Sequence, residues 1–240
     1  SWTIENKVLT ISGQGDMPDW ENDKDCPWYT ERANIKKIVI GKCITRIGKN
    51  AFYYFTIVTD IEIPQSVKSI GERAFSYNLN LTEIEIPSSV DNIDMQAFAF
   101  NKKLNKINIP NGVVEIKANT FRGCTALKNV NIPDSVVNIH MSAFANCNNL
   151  PEMMVIGKGN LGDSLAWKVT KKGELTISGQ GEMPDDTRPW TSASLSIISV
   201  DIQKGVTSIG NYAFYGCDKL NSVEIPEGVT SIGENAFKEC

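Results

Sequence analysis

The sequence predicts a repeat solenoid, in which short β-strands alternate with return segments of turn and short-helix character, with β-hairpin caps. Three observations carry this prediction. Phenylalanine recurs every 23 residues, usually after alanine, and the dipeptide Ile-Pro recurs with the same step. A ten-residue segment also appears twice outside these repeats. A constant spacing of this length is typical of proteins that stack one structural unit upon the next.

The 23-residue unit occurs seven times along the chain. In one example Ile107 and Ile109 alternate with Lys106 and Asn108, which is the period of a short strand with one buried face. Pro110 then ends the strand, because proline has no N–H for the ladder. Apolar residues at looser spacing follow and predict the return segment. The phenylalanines that mark the units are Phe52, Phe75, Phe98, Phe121, Phe144, Phe214 and Phe237.

Stacking of these units is obligatory, because a single unit cannot cover its own apolar face. Stacked copies are expected to bury a continuous core of isoleucine, valine, leucine and phenylalanine between the strand layer and the return layer. An aromatic side chain in every unit contributes the largest burial, about 150 to 250 Å² each. The phenylalanines are therefore predicted to point inward.

The repeats resemble the BspA-like leucine-rich repeats, whose units read Leu-x-x-Ile-x-Ile-Pro-x-x-Val-x-x-Ile-Gly-x-x-Ala-Phe-x-x-Cys. The resemblance covers residues 35–149 and 197–240, with departures at the glycine position at Asp94, Lys117 and His140. It implies a leucine-rich-repeat fold and a cell-surface or secreted protein of a host-associated microbe that adheres to host or partner-cell proteins. The Ile-Gly element is kept at Gly48, Gly71, Gly210 and Gly233.

A second level of repetition divides the chain into two modules. Residues 9–18 return as 175–184, and each copy ends a pair of short alternating runs that predicts a β-hairpin. The second hairpin either covers the far end of the first array or opens a separate arc, and the sequence leaves both open. We expect an N-terminal hairpin cap at 1–34, five repeats and a terminal strand at 35–156, a linker at 157–164, a second hairpin cap at 165–196, and two further repeats at 197–240.

Composition and charge argue against nucleic-acid binding and against a membrane span. The 24 basic and 28 acidic residues give a net charge of −4, which offers no polycationic surface for nucleic acid. No apolar run approaches the roughly 18 residues that cross a bilayer, so we expect no membrane span in this chain. The first residues lack the features of a signal peptide, so we expect that one was removed. Because the second array stops where another strand is due, we expect the natural protein to continue or its end to be covered by a neighbour.

No constellation of catalytic or metal-ligating residues stands out. His140 is the only histidine and no C-x-x-C pattern occurs, so we expect no enzyme activity, no metal and no cofactor. Cys26 and Cys43 lie outside the repeat position that the other four cysteines share, and a bond between Cys26 and Cys43 is left open. Four cysteines share one position in their repeats and are predicted to be buried and free; they are Cys124, Cys147, Cys217 and Cys240.

The best candidate for binding is the row of residues that alternate with the buried strand positions, since these should line the concave face. Four carboxylates in this row are predicted to lie on adjacent strands roughly 4.8 Å apart. Like charges so placed repel, which indicates a patch for a basic protein partner or a cation, although ordinary solubility explains it equally well. The candidate residues are Lys37, Asp60, Glu62, Glu83, Glu85, Lys106, Asn108, Asn129 and Asn131.

Three functions follow from this pattern. The first is a protein-binding adhesin, with its oligomeric state left open. The second is a carbohydrate- or cation-binding surface module, for which Tyr53, Tyr54, Tyr77 and Phe100 offer an aromatic stripe beside the Ala-Phe motif. The third is a structural spacer, which would show no binding selectivity.

Overall fold

The structure of the protein is a computed structural model that describes residues 1–190 and 197–240. The end of the predicted second cap, at residue 196, lies outside the described residues. The chain forms two compact units, the first comprising residues 1–137 with 143–150 and the second 138–142 with 151–240. In the part of the chain that the structure describes, no helix is long and apolar enough to cross a membrane.

The first unit contains eleven short strands and two 3-10 helices. The 3-10 helices, Asp23–Asp25 and Tyr29–Glu31, precede the first repeat. The strands are β1 (Trp2–Glu5), β2 (Val8–Ile11), β3 (Gly15–Asp16), β4 (Lys37–Ile40), β5 (Ile44–Ile47), β6 (Asp60–Glu62), β7 (Ser69–Ile70), β8 (Asn92–Ile93), β9 (Lys106–Asn108), β10 (Glu115–Ile116) and β11 (Asn129–Asn131).

Two ladders organise eight of these eleven strands, and β9 and β11 form a separate parallel pair. The predicted N-terminal hairpin is confirmed: β1 and β2 are antiparallel, with Trp2 opposite Ile11. Strand β2 then pairs in parallel with β4, and β4 with β6, so the hairpin continues directly into the first ladder. The second ladder joins β3, β5, β7 and β8, again in parallel. Each repeat therefore contributes one segment to either side of a common core.

The phenylalanine stack lies at the centre of the first unit. Phe52, Phe75, Phe98 and Phe121 are fully buried and Phe144 is 4% exposed. Consecutive ring centroids are 5.4 to 5.6 Å apart, and the planes differ by 7° to 15°. The predicted inward phenylalanines are thus confirmed.

The N-terminal cap closes this stack with tryptophan. The Trp28 ring lies 5.7 Å from Phe52 with an interplanar angle of 15°, so it occupies the place of one more phenylalanine. Its Nε1 donates a hydrogen bond to the carbonyl of Ala51 at 2.7 Å, which satisfies the polar atom that burial would otherwise leave without a partner.

The return segments consist of turns. The N–H of Phe52 donates to the Ala74 carbonyl at 2.8 Å, and equivalent bonds join the later repeats. Asn50 and Tyr54, two residues before and two after Phe52, have left-handed φ values of 57° and 66°. A left-handed residue cannot continue a right-handed helix. The predicted turn character is confirmed, and no α-helix occurs in the described repeats.

The regular secondary structure in the described part of the second unit consists of strands. They are β12 (Asn138–Ile139), β13 (Val155–Leu161), β14 (Leu165–Thr170), β15 (Glu174–Gly179), β16 (Gly181–Glu182), β17 (Ser199–Ile202), β18 (Val206–Ile209), β19 (Ser222–Glu224) and β20 (Ser231–Ile232). The longer strands pair antiparallel, β13 with β14 and β14 with β15. Parallel pairing follows from β15 to β17 and β19, and from β16 to β18 and β20.

The segment 157–164, which the sequence analysis assigns to a linker, is mostly strand β13. Its glycines allow close packing. A Cβ at Gly157 would lie 2.3 Å from the sulfur of Met141, and one at Gly159 would lie 3.2 Å from Nε1 of Trp167. Glycine marks flexible loops and close backbone approaches alike, so the sequence pattern does not distinguish the two.

A ladder of asparagine and cysteine runs beside the turns. The N–H of Phe55 donates to Oδ1 of Asn78 at 3.0 Å, and the N–H of Asn78 donates to Oδ1 of Asn101 at 2.7 Å. The N–H of Asn101 in turn bonds the thiol of Cys124. Asparagine and cysteine are interchangeable here because the side chain of each accepts a hydrogen bond from a backbone N–H of the preceding repeat.

The cysteines form no disulfide in the described chain. Cys124, Cys147 and Cys217 are buried as predicted, whereas Cys240 is exposed. Of the two cysteines outside the repeat position that these four share, Cys43 is exposed and Cys26 is buried. Burial raises the pKa of the Cys217 thiol to about 11, that of Cys26 to about 12, and that of Cys124 well above its ordinary value.

We expect Phe98→Ala to lower the free energy of unfolding of the first unit by about 3 to 5 kcal/mol, because it opens a cavity in the middle of the stack. Urea unfolding followed by circular dichroism measures the change. Val114→Ala, at a side chain that is 56% exposed, is the control and should change stability by less than about 0.5 kcal/mol. Equal unfolding midpoints for Phe98→Ala and the wild type would contradict the central role of the stack.

The Cys26 thiol should make folding stability sensitive to alkaline pH. The pKa of this thiol is 9.0 ordinarily and about 12 in the folded protein. Its contribution to the free energy of unfolding is therefore full below pH 9 and is lost as the pH rises toward 12. We expect Cys26→Ala to reduce the loss of urea stability across this range relative to the wild type. Parallel curves for the two proteins would show that burial of this thiol does not oppose its ionisation.

Candidate functional site

The nine residues proposed from the sequence form what we call the outward strand row, which runs over β4, β6, the segment 83–85, β9 and β11. Lys37 lies opposite Asp60 in the register of β4 and β6, and Lys106 lies opposite Asn129 in that of β9 and β11. The isoleucines between them, such as Ile61, point into the core. The row consists of Lys37, Asp60, Glu62, Glu83, Glu85, Lys106, Asn108, Asn129 and Asn131.

The row is interrupted at its most acidic point. The sequence predicts an unbroken ladder, but residues 83–85 form only an isolated bridge, between Glu83 and Lys106. Among the described residues, no strand pairing joins this segment to β6. Like charges on neighbouring strands destabilise their pairing, and four carboxylates meet here. Among the described residues, the continuous strand pairing expected for these carboxylates is therefore absent at this position.

Lys37 compensates half of the acidic cluster. Its Nζ lies 2.7 Å from Oδ2 of Asp60 and also contacts Oε1 of Glu62. The hydrogen bond with Asp60, and to a smaller extent that with Glu62, raises the pKa of Lys37. The lysine is therefore charged at neutral pH. In the described residues no ion pair engages Glu83 or Glu85, although Lys106 lies next to Glu83 across the bridge. Two exposed carboxylates thus carry uncompensated charge.

A surface depression of about 720 Å³ lies over this interruption. Residues 59–63, 65, 82–85, 87 and 106–108 line it, and all four carboxylates are among them. Its volume falls within the range of roughly 300 to 1,000 Å³ that is usual for ligand pockets. Carboxylates on the lining accept hydrogen bonds, so the depression is suited to lysine or arginine side chains of a partner.

The other chemical candidates do not assemble into a site. In the described residues no three histidine, cysteine or acidic side chains are placed to hold a metal ion. The N–H of Ser142 donates to Nδ1 of His140 at 3.2 Å, and the Ser142 hydroxyl lies 2.9 Å from the same nitrogen. This contact joins residues two apart in an exposed turn, which is a local structural role.

The aromatic stripe noted in the sequence is a real cluster. Tyr54 and Tyr77 have ring centroids 5.6 Å apart, and Phe100 stacks on Tyr77 at 4.5 Å. Two arginines that the sequence pattern does not predict join this cluster: the guanidinium groups of Arg32 and Arg122 lie 5.7 and 5.8 Å from the Tyr54 and Phe100 rings. Arg122 comes just before the same repeat position that holds the three rings, so a comparison of repeats could have found it.

Solved structures share this fold. A leucine-rich repeat protein from Bacteroides ovatus is 22% identical with a TM-score of 0.56, over 100% of this chain and 78% of the other. A leucine rich cell surface protein from Faecalibacterium prausnitzii is 22% identical with a TM-score of 0.50, over the same shares. A leucine-rich repeat protein from Eubacterium ventriosum is 20% identical with a TM-score of 0.51 over 98% of this chain, which spans only 59% of that protein.

Sequence comparison identifies the family. No curated protein matches the chain. The family model for the BspA type leucine rich repeat region matches in six copies, over residues 28–151 and 192–240. These ranges cover more than half of the chain and coincide closely with the repeats whose phenylalanines and strands are described above. The chain therefore belongs to the BspA-type leucine-rich repeat family.

Proposed function

We propose that this protein is a non-enzymatic, cell-surface or secreted binding protein that attaches to a protein of a host or partner cell through the outward strand row. The observation that carries the proposal is the group of exposed carboxylates around the depression, two of them without an ion pair among the described residues. Membership of a family with cell-surface representatives supports the location, since the Faecalibacterium prausnitzii neighbour is described as a cell surface protein.

The chemistry of the row favours a basic protein partner. Glu83 and Glu85 can each gain a charge-assisted hydrogen bond that the chain itself does not supply, and such bonds are stronger than neutral ones. The parallel ladders hold the row in place before binding, which lowers the entropic cost of association. Lys37 already occupies Asp60 and Glu62, which leaves less free charge for a bare cation than four clustered carboxylates would offer.

The test replaces charge without breaking an existing ion pair. We expect the double variant Glu83→Gln with Glu85→Gln to weaken binding to the recognised partner by about tenfold or more, equivalent to about 1.4 kcal/mol. Biolayer interferometry against immobilised extracellular-matrix proteins, at low and at high salt, provides the measurement. The wild-type affinity should fall with added salt, because exposed charges are screened.

The matched control is Asp91→Asn with Glu115→Gln, which removes the same charge from exposed residues outside the row. Its affinity should equal that of the wild type. Unchanged binding by the row variant to every matrix protein recognised would remove the row from consideration. Equal retention of all the immobilised proteins, without selectivity, would support a structural spacer instead.

A further inference from the structure

A second surface of the first unit has the opposite chemistry. We call it the aromatic ridge; it lies along the turns of the return layer, and Tyr53 contacts Tyr54 and Tyr77 at centroid distances of 5.9 and 5.6 Å. Arginine side chains cover the two ends of the ring column. The ridge consists of Arg32, Tyr53, Tyr54, Tyr77, Phe100 and Arg122.

Three of the rings stand on backbone that favours glycine. The φ values of Tyr54, Tyr77 and Phe100 are 66°, 63° and 60°. The same repeat position holds Gly123 and Gly216, with φ values of 72° and 73°. Bulky residues rarely adopt this conformation, so aromatic side chains are unusual at this position.

The repeat architecture does not require these rings. The N–H of Tyr54 donates to the Ser76 carbonyl at 2.9 Å, and the N–H of Gly123 makes the equivalent bond to Ala145 at 2.8 Å. The core at this level is filled by Phe52 and its fully buried equivalents, whereas Tyr54 is 42% exposed. Glycine supports the same turn, so the aromatic side chains supply something other than the backbone path.

The orientation of the rings indicates which kind of ligand fits. Phe100 is covered by Tyr77 on one face, and its Cδ1 lies 2.6 Å from where a Cβ of Gly123 would stand. A sugar ring stacks on an open aromatic face, and the middle of this column has none. The ridge instead combines tyrosine and arginine side chains, which are enriched in protein interface hot spots.

Charge then selects the partner. Aromatic edges carry positive potential, and Arg32 and Arg122 add formal positive charge at either end. The nearby Arg73 is exposed, and the neighbouring acid Glu72 is already shared between Lys49 and Arg73 at 3.5 and 3.9 Å. Asp23 is a further acid close to Tyr53 of the ridge.

We infer that the aromatic ridge is a second docking surface, and that it takes an acidic, aromatic-containing segment of a protein partner. The inference goes beyond the proposed function because it uses different residues and a partner of opposite charge. One scaffold would then contact a basic surface through its strand row and an acidic surface through its turns.

The test uses the glycine that the fold already accepts at this position. Tyr54→Gly with Tyr77→Gly should keep the thermal midpoint of the wild type or raise it. The probe is a random copolymer of glutamate and tyrosine, measured by biolayer interferometry with poly-L-lysine, heparin and hyaluronan in parallel. We expect the wild type to bind the copolymer, and the glycine variant to bind it at least about tenfold more weakly.

Two further variants make the result decisive. Arg32→Gln with Arg122→Gln should also weaken copolymer binding, and this pair decides the question if the glycine variant loses its folded signal. Glu83→Gln with Glu85→Gln should leave copolymer binding unchanged, which separates failure of the ridge from failure of the strand row. Absence of copolymer binding, equal binding by the ridge variants, or ridge-dependent binding of heparin or hyaluronan alone would overturn the inference.

Discussion

The stacked phenylalanines set the distance between repeats, and every other feature of the first unit depends on that distance. Rings 5.4 to 5.6 Å apart bring consecutive turns within hydrogen-bond reach, so the N–H of Phe75 finds the carbonyl of Ala97 at 2.8 Å. The same spacing aligns the strands on the other side of the core. Residues 23 apart therefore become neighbours on the surface, whatever their chemistry.

Surface chemistry varies freely within this frame. The strand row changes from Asp60 and Glu62 to Asn129 and Asn131, while the apolar residues between them, Ile61 and Val130, stay buried and half-buried. The turn position before the asparagine and cysteine ladder changes from Tyr54 to Gly123 with the same backbone bond. Two surfaces of opposite charge thus arise on one unit, because the core fixes their geometry and leaves their composition open.

The sequence predicts the parts of this structure that depend on periodicity. The phenylalanine core, the hairpin that begins at Trp2 and the buried cysteine ladder all follow from regular spacing, since each buried position recurs with the repeat. Features that depend on individual contacts do not follow. The strand at Gly157 packs closely against Met141 and Trp167, and the interruption near Glu83 lies where four carboxylates line one depression. Left-handed tyrosines have no reliable signature at all, because such residues are rare in that conformation.

The asparagine and cysteine ladder bears on how such a chain changes length over evolutionary time. The backbone N–H of Phe55 donates to the side chain of Asn78 in the following repeat, and the N–H of Asn78 donates to the side chain of Asn101. The acceptor for each of these buried N–H groups therefore comes from the next repeat and not from its own. Loss or gain of one whole unit joins equivalent donors to equivalent acceptors, whereas any other length of insertion leaves a buried amide without an acceptor. Recombination between tandem copies in the gene thereby lengthens or shortens the protein in integral steps without disturbing its interior.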